Sequence, residues 1–236
     1  MTRERKDDFQ KLVEFIAHYA ISNETSDPRF QVLLKQLHGK LFAFLTLVVE
    51  IETLNLESKS YSVQSLSYSF ECASDLAQSL FCWVHGAYKP ADLILRSSIE
   101  TFVKATCGTE NPQIFLERSV YQVMDYARAS KACGSSPVAK YFERIYNEYA
   151  LLCGVAHSAS ADRQTQVQAL RMFPKFDLQY AETFGKRFVV LIDRFIAILL
   201  ANNEPAFRKA HYKNQQIVLD SLPREIKQEL FVYPEN

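Results

Sequence analysis

Trp83-Val-His-Gly-Ala-Tyr-Lys-Pro-Ala-Asp-Leu-Ile-Leu-Arg-Ser-Ser-Ile-Glu-Thr-Phe-Val-Lys-Ala-Thr-Cys107 is the stretch whose reading decides the fold. His85–Lys89 reads as a loop and Pro90 as the opening of a helix, where its missing N–H has no helical partner to lose. At 100° per residue Leu95, Ile99, Phe102, Val103 and Thr106 share one stripe. Gly108 stands where such a helix ends. Arg96 falls beside Val103 on that stripe, with Leu93 on its far side, and Glu100 follows Arg96 by one turn. The pattern sets an ion pair inside an apolar face, where neither charge tolerates burial without compensation.

Helical spacing continues on both sides. Upstream it predicts a helix over 8–21 (Phe9, Leu12, Val13, Ile16), a turn at Asn23–Pro28, and a long helix from Pro28 to about Leu56. The run from Leu33 to Val49 is apolar on nearly one whole side, as in a central helix. A third helix over Val63–Val84 presents Leu66, Phe70, Ala73, Ala77, Leu80 and Phe81. Downstream, Asn111-Pro112 opens a fifth helix that Cys133–Pro137 stops. Val138–His157 carries Tyr141, Phe142, Ile145, Tyr149 and Leu152 on one face, with Tyr149, Cys153 and His157 stacked at its edge. Ser158–Lys175 is a polar connection, Leu178–Asn202 a strong helix, and Glu204–Gln216 and Pro223–Leu230 weaker pieces. No strand alternation and no internal repeat interrupts this. The expectation is an all-α, multi-helix bundle with long central helices: a single domain over 1–236, with 203–236 a peripheral C-terminal helical extension.

Composition agrees with a packed core: hydrophobic residues make up 48% and aromatics 13%, which excludes a disordered chain. Lys plus Arg and Asp plus Glu balance at 27 each. That neutrality removes the argument for wholesale nucleic-acid binding and leaves room only for a local patch. Cys72, Cys82, Cys107, Cys133 and Cys153 are widely spaced and form no C-x-x-C pair, which argues against zinc. Their odd number and an N-terminus charged in both signs fit reduced thiols in a cytoplasm. The run Phe188–Ala201 is broken by Asp193 and Arg194, so it reads as core and not as a membrane span. No cofactor loop, P-loop or Rossmann fingerprint occurs.

Arg96, Glu100 and His157 are the candidate site. Long helices of a bundle bring polar residues together inside it, and an Arg–Glu couple facing an imidazole can bind an anion, orient water or act as an acid–base set. The alternative is a structural network in which guanidinium, carboxylate and imidazole satisfy one another.

The segment Gly86–Phe102, followed by Tyr146-Asn-Glu-Tyr-Ala-Leu-Leu-Cys-Gly-Val-Ala-His157, resembles a group of bacterial helical proteins, the DUF5677-like and HEPN-like (higher eukaryote and prokaryote nucleotide-binding) proteins. An Arg-x-x-x-Glu helix and a later Tyr…His helix end carry the likeness, which covers about 67–158. The resemblance implies a HEPN-like bundle, a homodimer or a partner protein, and a place in anti-phage defence or toxin–antitoxin systems. It implies action on RNA or sensing of a nucleotide and, if catalytic, metal-independent ribonuclease chemistry at Arg96, Glu100 and His157. One departure stands out. HEPN ribonucleases place Arg and His four to six residues apart on one helix, whereas here Arg208 is three before His211 and no other histidine has an upstream Arg in that range. A composite of Arg96 and His157 from two helices is needed instead. The competing class is a non-catalytic protein–protein interaction module.

Other constellations read as structural. Arg208–Lys213 is a basic cluster that suits a solvated face as well as a phosphate. His85 beside Cys82 suits a helix cap; Ser65, Ser67, Ser69 and Glu71 suit a helix–helix contact; Tyr141, Tyr146 and Tyr149 suit the core more than base stacking.

Overall fold

The computed structural model describes residues 2–18, 27–58, 60–156 and 177–231. In chain order these form α1 (Arg3–His18), α2 (Pro28–Ser58), α3 (Val63–Val84), α4 (Tyr88–Cys107), a 3-10 turn (Pro112–Phe115), α5 (Val120–Ala129), the single turn α6 (Lys131–Gly134), α7 (Ala139–Ala156), α8 (Leu178–Phe207), α9 (Tyr212–Ser221) and α10 (Arg224–Leu230). No strand occurs among the described residues. The all-α bundle follows directly from the helical spacing.

Helices α2 and α8 are central because they carry large apolar side chains around most of their circumference. Phe30, Leu34, Leu37, Phe44, Leu47 and Val48 of α2 are buried, and so are Phe184, Phe188, Leu191, Ile192, Phe195 and Ile196 of α8. Helix α4 brings Phe102 onto Phe195 with stacked rings 4.0 Å apart. Full burial of such a side chain stabilises by about 1.5–3 kcal/mol. Helix α2 is long and apolar enough over Pro28–Asn55 to cross a bilayer, yet half of that window is buried in the bundle, as in a core helix. It also carries a charge inward. Lys40 Nζ reaches Asp193 Oδ1 of α8 at 2.5 Å and donates to the Ser221 carbonyl at the end of α9. Burial outweighs the ammonium and holds the Asp193 carboxyl above its ordinary value.

The α3–α4 seam corrects the stripe expected for α3. Ser65, Ser69, Cys72, Leu76, Ser79 and Trp83 face inward, while Phe70 and Phe81 are exposed. Small side chains let the two helices approach closely, and their polar atoms are absorbed by nearby carbonyls. Ser79 Oγ donates to Ala91 O at 2.8 Å, and Cys72 Sγ to Ser98 O at 3.3 Å. A stripe chosen by hydrophobicity alone misses a face chosen by size. Val49 of α2, expected within the apolar side, is likewise 48% exposed.

Helix ends differ from expectation by small amounts with clear causes. Helix α4 begins at Tyr88, so Pro90 lies inside its first turn, where N–H groups still lack helical acceptors. Gly108 does cap it, but in right-handed geometry (φ −68°), and its bare Cα makes room for the Phe115 ring: a Cβ there would lie 2.1 Å from Cζ. The fifth helix expected from Asn111 splits into the 3-10 turn, α5 and α6. Helix α8 runs past Asn202 to Phe207 with a kink at Asn203 (φ −128°, ψ 18°), two residues before a proline that has no N–H to give. Asn203 Nδ2 donates back to Leu199 O at 2.7 Å and across to Tyr61 Oη at 2.8 Å.

The C-terminal pieces pack across the bundle: α9 lies on α2, and α10 lies on α8. Val218, Leu222 and Ile226 are buried. Glu229 of α10 pairs with Lys140 of α7 at 2.7 Å and accepts from the Tyr141 hydroxyl. At the other end α1 docks on α2 through His38, whose Nε2 meets Asp8 Oδ2 at 2.5 Å, and through the Arg5 guanidinium seated against Gly39. The turn expected at Asn23–Pro28 falls largely outside the described residues, as does the polar connection Ser158–Lys175.

Candidate functional site

Helix α4 has two unlike sides. Leu95, Ile99, Phe102 and Val103 are sealed in the core. Asp92, Arg96 and Glu100, at successive steps of four, line the margin that meets α7 and α8. This corrects the expectation of an interior ion pair. Arg96 and Glu100 keep 27% and 26% of their side chains exposed, and Arg96 Nε lies 3.4 Å from Glu100 Oε1. The pair borders the core instead of sitting within it, so water carries part of the compensation.

Helix α7 completes this margin. The Tyr149 hydroxyl donates to Glu100 Oε1 at 3.2 Å, and its ring lies 5.8 Å from the Arg96 guanidinium carbon. Burial first, then the neighbouring Cys153 sulfur and the Glu100 charge, push the Tyr149 phenol up. It therefore keeps its proton and serves as a fixed donor. One step along α7, Glu148 accepts from Arg187 Nε of α8 at 3.2 Å, and Arg187 Nη1 donates to Asp92 Oδ1 at 2.8 Å. Burial holds the Asp92 carboxyl above its ordinary value despite the Arg187 charge beside it.

Glu100 also lines a pocket of about 480 Å³ with Lys104, Phe115, Glu117, Arg118 and Val123. Both carboxylates of that pocket are engaged. Glu100 is held by Arg96 and Tyr149, and Glu117 Oε1 accepts from the Ser119 backbone N–H at 2.7 Å, at the start of α5. Lys104 Nζ has a carbonyl partner, Glu117 O at 3.2 Å, and lies 5.6 Å from the centre of the Tyr68 ring. Among the described residues neither Lys104 nor Arg118 has a carboxylate within ion-pair distance. The lining is thus formally balanced, two cations against two carboxylates, with the cations held apart from the carboxylates.

Of the three sequence candidates, Arg96 and Glu100 are brought together with Tyr149. His157 lies outside the described residues, eight positions after Tyr149 in the sequence. Sequence reasoning missed Asp92, although its spacing of four from Arg96 was a usable signal. It also missed Arg187 and Lys104. Arg187 lies 95 residues from Asp92, and nothing local marks it.

The structural constellations behave as such. His85 Nδ1 meets the Phe81 carbonyl at 2.7 Å at the end of α3. Ser65 and Ser69 sit in the helix–helix seam while Ser67 and Glu71 are exposed, and Tyr141 and Tyr149 are buried with Tyr146 half-buried. In the basic cluster, Arg208 pairs with Glu204, Lys213 lies 3.8 Å from Glu4, and His211 caps α9. Compared with known protein families, with curated proteins and with solved structures, the chain matches none.

Proposed function

We propose that this chain is a HEPN-like, DUF5677-like component of a bacterial anti-phage defence or toxin–antitoxin system. It works in the cytoplasm as a homodimer or with a partner protein, and it takes RNA or a nucleotide at the α4–α7 margin. In this reading Arg96, with Lys104 and Arg118, contacts phosphate, Glu100 holds the Arg96 guanidinium, and His157 exchanges the proton. If the ligand is cleaved, the chemistry is that of a metal-independent ribonuclease. The observation that supports the reading is the pocket beside Glu100, where Lys104 and Arg118 have no carboxylate within ion-pair distance among the described residues. A phosphodiester suits such a site because its charge is diffuse and its oxygens accept from several donors at once.

The second reading, a non-catalytic interaction module, draws support from the contacts that Arg96, Glu100 and Tyr149 make with one another. One experiment separates the two. Wild-type protein and His157→Ala are expressed in a bacterial host, and the purified proteins are incubated with single-stranded RNA and with a fluorescent ATP analogue. The first reading expects growth arrest, or cleavage or binding, that His157→Ala or Arg96→Ala removes with the melting temperature nearly unchanged. A wild type with none of these activities, together with a large stability loss in the variants, rejects it in favour of the second.

A further inference from the structure

Away from that margin, at the last turn of α4, two thiols face each other. Cys107 Sγ lies 3.6 Å from Cys133 Sγ of the single-turn helix α6, and both residues are fully buried. Ser130, which caps α6, organises the pair. Its one hydroxyl proton goes to the Ala127 carbonyl at 2.8 Å, so its oxygen accepts from the Cys133 backbone N–H (3.1 Å), and it lies 3.3 Å from Cys107 Sγ. Cys107 donates to Cys133 Sγ in the resting pair; once Cys107 ionises, the Cys133 thiol donates to its sulfur instead. That contact pulls the Cys107 thiol below its ordinary value and, together with burial, pushes Cys133 well above it. The two sulfurs differ in role: one ionises more readily and the other keeps its proton.

A second pocket of about 480 Å³ lies between α6 and the kink of α8. Thr106, Lys131 and Ala132 line it, and these include the chain neighbours of both cysteines. Neither cysteine lines the pocket itself. The sulfurs must close by roughly 1.5 Å to reach disulfide length, a displacement suited to a one-turn helix between two loops.

We propose that Cys107 and Cys133 are a modification site: a dithiol that a hydroperoxide converts to an intramolecular disulfide fitting the native fold, and that a thiol reductant restores. The Cys107 thiolate attacks one peroxide oxygen and breaks the O–O bond, giving Cys107 sulfenic acid and, after protonation, one water. The Cys133 sulfur then attacks the Cys107 sulfur, the S–O bond breaks, and the hydroxide leaves with the Cys133 proton as a second water. Two thiols lose two electrons and two protons, and one hydrogen peroxide is reduced to two waters.

The test is treatment of the full-length protein with hydrogen peroxide, alkylation under denaturing conditions, and non-reducing peptide mass spectrometry. The expected product is a Cys107–Cys133 linked peptide pair lighter by two hydrogens, absent after dithiothreitol. The linked chain closes a loop between residues 26 apart, so its melting temperature should rise by roughly 5–10 °C and fall back on reduction. Cys107→Ser should abolish the link, and wild-type data alone suffice if that variant does not fold. Full alkylation of both cysteines after peroxide, a link made instead to Cys82 or Cys153, or a link that leaves melting unchanged or lowered would each overturn the proposal.

Discussion

Two ion pairs in this bundle look alike on paper and live under different conditions. Arg96–Glu100 is local, four residues apart on one helix, with each side chain about a quarter open to water. Lys40–Asp193 spans 153 residues between α2 and α8, with side chains 12% and 6% exposed. The visible pair is the cheap one and the hidden pair the expensive one. Exposed pairs contribute about 0–1 kcal/mol. A buried pair contributes little net stability either, but removing one partner strands the other and costs about 3–5 kcal/mol. Charge separation along the chain is thus a poor guide to depth in the fold.

The largest effect expected from this contrast is Lys40→Met, which leaves Asp193 unpaired among apolar helices and should lower stability by about 3–5 kcal/mol at neutral pH, read from urea denaturation. The sign with pH is fixed by the direction of the Asp193 shift. A carboxyl whose folded value lies above its ordinary 3.8 binds protons more tightly folded than unfolded. Its burden is therefore present at neutral pH and eases as pH falls through the folded value toward 3.8. The Lys40→Met deficit should narrow over that descent; a deficit that stays constant from neutral pH all the way down to 3.8 would mean that Asp193 is not the stranded group.

An intermediate case sharpens the comparison. Arg187, 15% exposed, is shared by Asp92 and Glu148. Arg187→Met leaves two carboxylates facing each other, and a loss of about 1–3 kcal/mol is expected, the range for an uncompensated buried polar group. A thermal melt within experimental error of wild type would place this trio with the exposed pairs. The smallest effect belongs to Arg96→Met, about 0–1 kcal/mol, with Glu100→Leu added no worse than additive. A coupling above about 2 kcal/mol in that double-mutant cycle would return the pair to the interior, against its partial exposure in the structure.

What the chain disclosed follows the same division. The helices were legible because apolar residues repeat along each of them, and the inward stripe of α4 (Leu95, Ile99, Phe102, Val103) was legible from spacing alone. The inward face of α3 was not. It is built from Ser65, Ser69, Cys72 and Ser79, whose merit is small volume beside another backbone and not aversion to water. The candidate site was legible only where its members share a helix, as Arg96 and Glu100 do. Tyr149, Arg187 and Lys40 enter through tertiary contacts that no window of sequence contains. The break between α5 and α6 was obscured because Ser130 and Cys133 read locally as helix continuation, whereas the Ser130 side chain restarts the helix by capping Cys133 N.

The bend in α8 has a reach that its size conceals. Proline weakens the helix at this point, but a phenol from a segment remote in sequence, Tyr61, helps choose the direction in which it folds over, by holding Asn203. Everything after that elbow inherits its heading from a tether anchored just before α3. An early connector and the chain's final helices are thereby geared together, so Tyr61→Phe should loosen the far end of the molecule while leaving its own surroundings almost untouched.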